Sequence, residues 1–275
     1  MRDVVAGWRR DGQSVGLVPT MGALHAGHLS LVAASTAEND RTVVSVFVNP
    51  LQFDPQEDFE RYPRNLDRDR EALGVFDVDI IFAPSTEEMY PRGATTRVRV
   101  AALDEVLEGA HRPGHFEGVA TVVCKLFWAV RPDRAYFGQK DAQQAALVAR
   151  LAADLGTGIS VRVCPTVRER DGLARSSRNV YLDPRQRRAA SVLSRALRRA
   201  NDSYLEGRRD PAVLTALLRD ELATESLVRV DYAELVDPAR FEPPGRLAVV
   251  AVLIGSTRLI DNHLLGETFQ SAPTG

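Results

Sequence analysis

The chain has 275 residues, 44% of them apolar and 26% charged, a balance that suits one large or two smaller folded domains and excludes a mostly disordered chain. Its 35 basic and 37 acidic residues leave a net charge of −2, so whole-molecule attraction to nucleic acid or to an anionic membrane is not expected and any cationic site must be local. No apolar run is long enough to span a bilayer and no signal peptide follows Met1, which makes the cytoplasm the expected compartment. Cys124 and Cys164 lack Cys-x-x-Cys spacing and read as buried free thiols.

In chain order, Val15, Leu17 and Val18 predict a buried strand, Pro19 and Gly22 punctuate its end, and a helix follows with Leu29, Val32, Ala33 and Thr36 on one face. This strand, turn and helix junction reads as a phosphate site. Backbone N–H groups at a helix start attract an anion, by about 0.3–1 kcal/mol per charge, and Gly22 and Gly27 leave the approach open. His25 and His28, at i and i+3, point the same way on a helix. As a zinc pair they lack a third ligand of suitable spacing; as a plain helix start they need no ligand; as hydrogen-bond donors they suit phosphate oxygens on which charge builds. No P-loop sequence is present.

Residues 43–48 predict a strand covered on both faces. The loop beyond it, Leu51-Gln52-Phe53-Asp54-Pro55, falls where open α/β sheets bind ligands, which makes Asn49 and Gln52 site candidates. A charged helix is expected over residues 57–73, strands over 78–82 and 95–100, and a helix over 118–130 burying Val122, Val123, Leu126 and Phe127. Arg112-Pro113-Gly114-His115-Phe116 reads as a solvated loop. Ala135-Tyr136-Phe137 is a short strand broken at Gly138, and a helix from Asp141 carries Ala145, Val148, Leu151 and Ala152 inward. This second junction gathers Gln139, Lys140, Asp141, Gln143 and Gln144. An N-cap accounts for Asp141, whereas Lys140 has no such structural reading.

After a strand over residues 159–163 the pattern changes. Residues 166–179 are polar, and Arg175-Ser176-Ser177-Arg178 suits phosphate oxygens on a loop that Gly172 frees to move, so residues 170–179 read as a lid. Asp183-Pro184 with Gln186, and then Asp210-Pro211, start two helices, the first of them basic along a solvated face. Strands over 228–236 and 247–254 flank a proline-rich turn at 241–245, and the chain frays from Thr268. Alternating strands and helices followed by two helices and two strands predict an α/β domain over residues 1–165 and a smaller α+β domain over residues 166–275.

Taken together, Pro19-Thr20-Met21-Gly22-Ala23-Leu24-His25-Ala26-Gly27-His28, Asn49-Pro50-Leu51-Gln52-Phe53, Tyr62-Pro63-Arg64, Glu88-Met89-Tyr90-Pro91, Arg112 to Phe116, Phe137-Gly138-Gln139-Lys140-Asp141, Gln143-Gln144, Ser176-Ser177-Arg178-Asn179 and Arg258-Leu259-Ile260-Asp261-Asn262 resemble the pantoate-β-alanine ligase family, whose histidines form the His-x-Gly-His signature of nucleotidylyltransferases. The resemblance implies a Rossmann-like parallel-sheet domain that binds ATP and pantoate, a smaller lid domain, a homodimer, Mg²⁺ with ATP, and ligation of pantoate to β-alanine through a pantoyl adenylate. By the same resemblance, Met21, Gly22, Ala23, Leu24, His25, Ala26, Gly27 and His28 hold ATP phosphates, with His28 the proton donor. Gly138, Gln139, Lys140, Asp141, Val167, Arg175, Ser176, Ser177 and Arg178 complete the ATP site; Gln52 and Gln144 grip pantoate; Asn49 lies near the acyl substrates. His25, His28, Lys140 and Arg178 form the implied catalytic set. The sequence departs from the family at Gln139, where Glu is common, at Ala142, where an aromatic is common, and at Arg175, where an apolar residue is common. Another nucleotidylyltransferase would not require the two glutamines or the Ser-Ser-Arg-Asn run, and a non-catalytic nucleotide sensor would not require Lys140, His28 and Arg178 together.

Overall fold

A computed structural model describes residues 1–53, 59–60 and 62–269. The chain divides into two compact units: Met1–Gly138 with Gln143–Cys164, and Gln139–Ala142 with the chain from Pro165 onward.

The first unit runs α1 (Arg2–Arg10), β1 (Val15–Thr20), α2 (Ala26–Glu38), β2 (Arg41–Val46), α3 (Leu66–Leu73), β3 (Ile80–Phe82), α4 (Thr86–Met89), α5 (Glu108–His111), α6 (His115–Val130), β4 (Arg134–Gly138), α7 (Ala142–Asp154, its first residue grouped with the second unit) and β5 (Ser160–Cys164). The strands are parallel in the order β3-β2-β1-β4-β5. Strand order reverses between β1 and β4, and ligands in open α/β sheets gather beyond the carboxyl ends at such a point. The apolar, β-branched run Val43-Val44 lies wholly buried in β2, as a strand covered on both faces requires.

Helix α2 keeps part of the predicted inward face, with Val32 buried and Leu29 packed on the same core, but it is rotated so that Leu31 and Ser35 are buried and Ala33 is exposed. The apolar residues from Leu29 to Ala34 offer two overlapping stripes. A 2.9 Å hydrogen bond between the Ser35 and Thr42 hydroxyls gives the polar member of the chosen stripe a buried partner. Helix α3 begins only at Leu66, because Asn65 caps it by accepting the Arg68 N–H at 3.0 Å. The Asp54-Pro55 end of the predicted loop and part of the predicted helix, at residues 54–58 and 61, lie outside the described residues. The strand expected at residues 95–100 does not form; the Val98 N–H goes to the Thr121 hydroxyl at 3.0 Å instead of to a ladder. Both cysteines are free and half-buried rather than fully enclosed, and burial pushes their thiols up.

The second unit holds α8 (Pro184–Ala189), α9 (Val192–Leu205), α10 (Pro211–Ala223) and an antiparallel sheet of β6 (Val228–Val236), β7 (Leu247–Ile254) and β8 (Thr257–Leu264) in that order. Asp183 and Gln186 form the predicted capping box at the start of α8. The basic stretch is two helices rather than one, and Arg195 and Arg199 both pair with Glu221 of α10, so part of the basic face joins helices instead of only meeting water. Leu193, Leu197 and Ala200 of α9 and Leu214, Leu218 and Leu222 of α10 bury one core with Val250, Val252 and Ile254 of β7. Strand β8 is an addition to the two strands expected. Its alternation is masked by a carboxylate, Asp261, at a buried position, where Arg168 neutralises it at 2.6 Å.

Candidate active site

The chain leaves β1 through a turn in which Gly22 (φ 82°) and Ala23 (φ 51°) are both left-handed. Successive residues of this kind point main-chain N–H groups into one concavity, which favours an anion. The anion is internal. Asp69 of α3, almost fully buried, accepts the Ala23 N–H at 3.1 Å and the Leu24 N–H at 2.8 Å. A Cβ at position 22 would stand 2.8 Å from the same carboxylate, so glycine is required for its approach as well as for φ. The N–H groups of Ala23 and Leu24, ahead of the helix start, are thus taken up by Asp69.

Both histidines lie at the start of α2, where His25 is the N-cap. Nδ1 of His25 accepts the Gly27 N–H at 3.1 Å, and Nδ1 of His28 accepts the His25 N–H at 3.4 Å, a capping box made of two imidazoles stacked with centroids 4.0 Å apart. A ring nitrogen that accepts a hydrogen bond carries no proton, so in the neutral rings the proton sits on Nε2. Capping thus fixes the tautomer of both rings. The helix-capping and ligand-donor readings of the pair are compatible. Among the described residues no group of three or more His, Cys, Asp or Glu side chains comes together as a metal cage.

Beyond β2 a short 3₁₀ turn, Pro50–Gln52, carries the second group of candidates. Asn49 is 1% exposed and uses every polar position it has. Its Nδ2 donates to Gln52 Oε1 and to the Gly118 carbonyl, each at 3.0 Å, while its Oδ1 accepts the Tyr90 hydroxyl at 2.8 Å and the Leu51 N–H at 3.3 Å. Burial pushes the Tyr90 phenol up to about 12, which keeps it a neutral donor. Gln52 Nε2 lies 3.1 Å from Met21 Sδ, which links this amide to the turn after β1. The Gln52 carbonyl accepts Nδ1–H of His115 at 2.8 Å, and Arg112 donates to His115 Nε2 at 3.0 Å. The loop read as merely solvated therefore props Gln52 from behind. Gly118 permits the approach of α6, since a Cβ there would overlap the Leu51 carbonyl. Gln144 lies half-buried on α7, its side chain making no hydrogen bond to another described residue, whereas the Gln143 side chain ties α7 to the Leu103 and Val106 carbonyls at 2.7 and 2.8 Å.

In the second unit Gln139–Asp141 forms a 3₁₀ turn directly after Gly138, the last residue of β4. Lys140 Nζ stands 3.3 Å from Asp141 Oδ1. The arginine loop is tied down at its base: Arg168 and Ala174 form a β-bridge, the Arg175 N–H donates to the Val167 carbonyl at 2.9 Å, and Leu173 and Ala174 are buried. Ser176 caps the 3₁₀ turn Ser177–Tyr181 through the Arg178 N–H at 3.2 Å. The expected lid over residues 170–179 is thus anchored at residues 172–175, and the Asn179 side chain donates to the Glu169 carboxylate and the Ala174 carbonyl at 3.2 and 3.1 Å.

Asp69, Tyr90, Arg112, His115 and Gly118 were not among the candidate site residues. Arg112 and His115 carried a signal in their i, i+3 spacing around a glycine; Asp69 carried none, being one acid among several in a charged stretch.

A parallel sheet of this order, with its polar groups collected past the ends of its strands, is the architecture of α/β enzymes that handle nucleotides. The profile of the Pantoate-beta-alanine ligase family matches residues 1–264. The chain belongs to that family. It is 53% identical over 265 residues to pantothenate synthetase of Pelotomaculum thermopropionicum, covering 94% of each chain. The crystal structure of pantothenate synthetase from Thermus thermophilus superposes with a TM-score of 0.90 at 49% identity, covering 95% of this chain and 97% of that one. Pantoate-beta-alanine ligase from Francisella tularensis, solved in complex with beta-gamma ATP and beta-alanine, superposes with a TM-score of 0.80 at 34% identity, over 98% of this chain and 97% of that one.

Proposed function

We propose that the chain joins pantoate to β-alanine at the expense of ATP, through a pantoyl adenylate. The observation that carries this reading is the buried amide pair Asn49 and Gln52, linked through Met21 to the histidine-capped turn. A neutral amide offers donor and acceptor to a hydroxy acid without adding charge, and its contact with Met21 ties it to the turn that leads to the histidines.

In the first step the pantoate carboxylate oxygen forms a bond to the α-phosphorus of ATP and the bond to the β-phosphate oxygen breaks, releasing pyrophosphate. In the second, the β-alanine amine attacks the acyl carbon, loses a proton, and AMP leaves. Both steps move negative charge onto a leaving phosphate, so catalysis is positioning plus fixed positive potential, with no covalent enzyme nucleophile. Gln52 and Gln144 orient pantoate. Nε2–H of His25 and His28 donates to phosphate oxygens, with Met21, Gly22, Ala26 and Gly27 shaping the turn around them. Lys140, Ser176, Ser177 and Arg178 supply further donors, with Gln139, Asp141, Val167 and Arg175 beside the nucleotide. Asn49 serves by holding Gln52.

Mg²⁺ enters with ATP, as the family resemblance implies, since it binds chiefly through substrate phosphates. The family resemblance supports a homodimer in the cytoplasm, and Trp128, 59% exposed on α6, is an apolar surface such an association would cover.

Exchange of labelled pyrophosphate into ATP with pantoate alone tests the reading. Exchange is expected before any β-alanine is added; exchange that strictly requires β-alanine would exclude a free-standing adenylate step.

A further inference from the structure

The Arg258 to Asn262 motif has no role in the mechanism above, yet its last residue touches the turn that carries Lys140. Asn262 is 5% exposed on β8. Its Nδ2 donates one hydrogen to the Gln139 carbonyl and the other to the Lys140 carbonyl, each at 2.9 Å, and its Oδ1 accepts the Gln139 side-chain amide at 2.9 Å. A turn that only joins a strand to a helix needs none of these bonds. Holding two successive peptide carbonyls with one amide fixes the peptide planes on either side of the Lys140 Cα, and with them the direction in which the lysine leaves the backbone.

Asn262 is itself fixed. Its N–H donates to Asp261 Oδ1 at 2.8 Å, and the Asp261 carboxylate is held by both terminal nitrogens of Arg168, at 2.6 and 3.1 Å. Arg168 and Asp261 are 2% and 0% exposed at their side chains, and the Phe269 ring covers the guanidinium at 4.6 Å. The same guanidinium donates to the Gly172 carbonyl at 3.0 Å, at the base of the loop that bears Arg175 to Arg178. A buried, fully paired network of this kind holds one geometry because an unpaired member is costly. Gln139 suits it, since an amide hydrogen meets Asn262 Oδ1 where a carboxylate would set acceptor against acceptor.

We propose that Asn262, braced by Asp261 and Arg168, is a positioning residue that aims Lys140 at the reacting phosphate. This rests on the reading of Lys140 as a phosphate-directed group in adenylate formation. Misplacement of such a group by about 1 Å costs roughly 100-fold in rate.

The test is a four-enzyme cycle in the full chain, read by pantoate-dependent pyrophosphate exchange: parent, Asn262→Ala, Lys140→Ala and the double variant. Asn262→Ala is expected to lower kcat roughly 10- to 100-fold with KM for pantoate unchanged, and to cost nothing further once Lys140 is gone. An equal fold-loss in both backgrounds, or a loss confined to pantoate KM, overturns the proposal. Lys140→Ala at the parent rate overturns it by removing the group to be aimed, and no exchange by the parent enzyme overturns the ligase reading beneath it. Should Asn262→Ala fail to fold, Gln139→Ala removes the side-chain bond to Asn262 and is read at saturating ATP because Gln139 also lies beside the nucleotide; a loss of a few-fold in kcat that disappears in the Lys140→Ala background supports the proposal, and one that persists there refutes it.

Discussion

The carboxylate of Asp69 grips the main chain of Leu24, accepting its N–H at 2.8 Å, while its other oxygen takes the neighbouring Ala23 N–H at 3.1 Å. A concavity built to hold an anion is thus already filled from α3, which gives the turn's left-handed pair of residues an internal partner. Asp69→Ala leaves both N–H groups buried without a partner, a cost of about 1–3 kcal/mol for each that water does not reach. The variant should show a lower urea midpoint and a rate of adenylate formation reduced about tenfold or more, since the histidines follow the turn directly. Asp69→Asn, which keeps one acceptor oxygen, should fall between. Parent-like behaviour of Asp69→Ala in both measurements would remove it from the site.

His115 supports Gln52 only through its main-chain carbonyl, at 2.8 Å. His115→Ala should therefore raise the KM for pantoate several-fold and leave the KM for ATP unchanged. A shift in the ATP constant alone would show that the loop serves another part of the reaction.

Apolar runs and alternation were enough to read β1, β2, α6, β6 and β7, and the Asp210-Pro211 cap was enough to start α10. Periodicity was not enough at α2, where two apolar stripes overlap, nor at β8, where Asp261 stands at an inward position that only the distant Arg168 makes tolerable. The glycine turn, the histidine pair, Gln52 and the Lys140 junction were legible because turn residues and polar groups cluster there beyond need. Asp69, Tyr90 and His115 were not: each acts on a residue 41 to 63 positions away, and such pairings leave no local pattern.

The arginine loop should be cut by trypsin at Arg175, which is exposed, and more slowly at Arg178, while Arg168, buried and paired with Asp261, should resist throughout. Mg-ATP with pantoate should protect Arg175 and Arg178, as charge-assisted bonds to phosphate hold the segment. Equal cleavage with and without the ligands would leave the segment no part in nucleotide binding.

Acid should loosen the same loop from its base. The Arg187 guanidinium, hydrogen-bonded to Asp171, holds that carboxyl below its usual value of 3.8, and Arg187 also bonds Glu169 at 2.6 Å. A depressed carboxyl contributes stability that is present above the usual value and lost as pH falls through the depressed one. Thermal midpoints followed from about pH 5 to about pH 2 should drop less steeply in Arg187→Ala than in the parent. Parallel curves would show that the pair contributes nothing to acid stability.

The four residues Gln139–Ala142 interrupt the first unit in sequence yet group with the second. Neither unit can then be inherited, exchanged or expressed as one uncut stretch of chain without separating this turn from its partners. A chimera that takes its carboxyl-terminal half from a relative would set that relative's residue 262 against this chain's Gln139. Gln139 and Asn262, 123 positions apart in the chain, are for that reason to be exchanged together, as one piece of the fold.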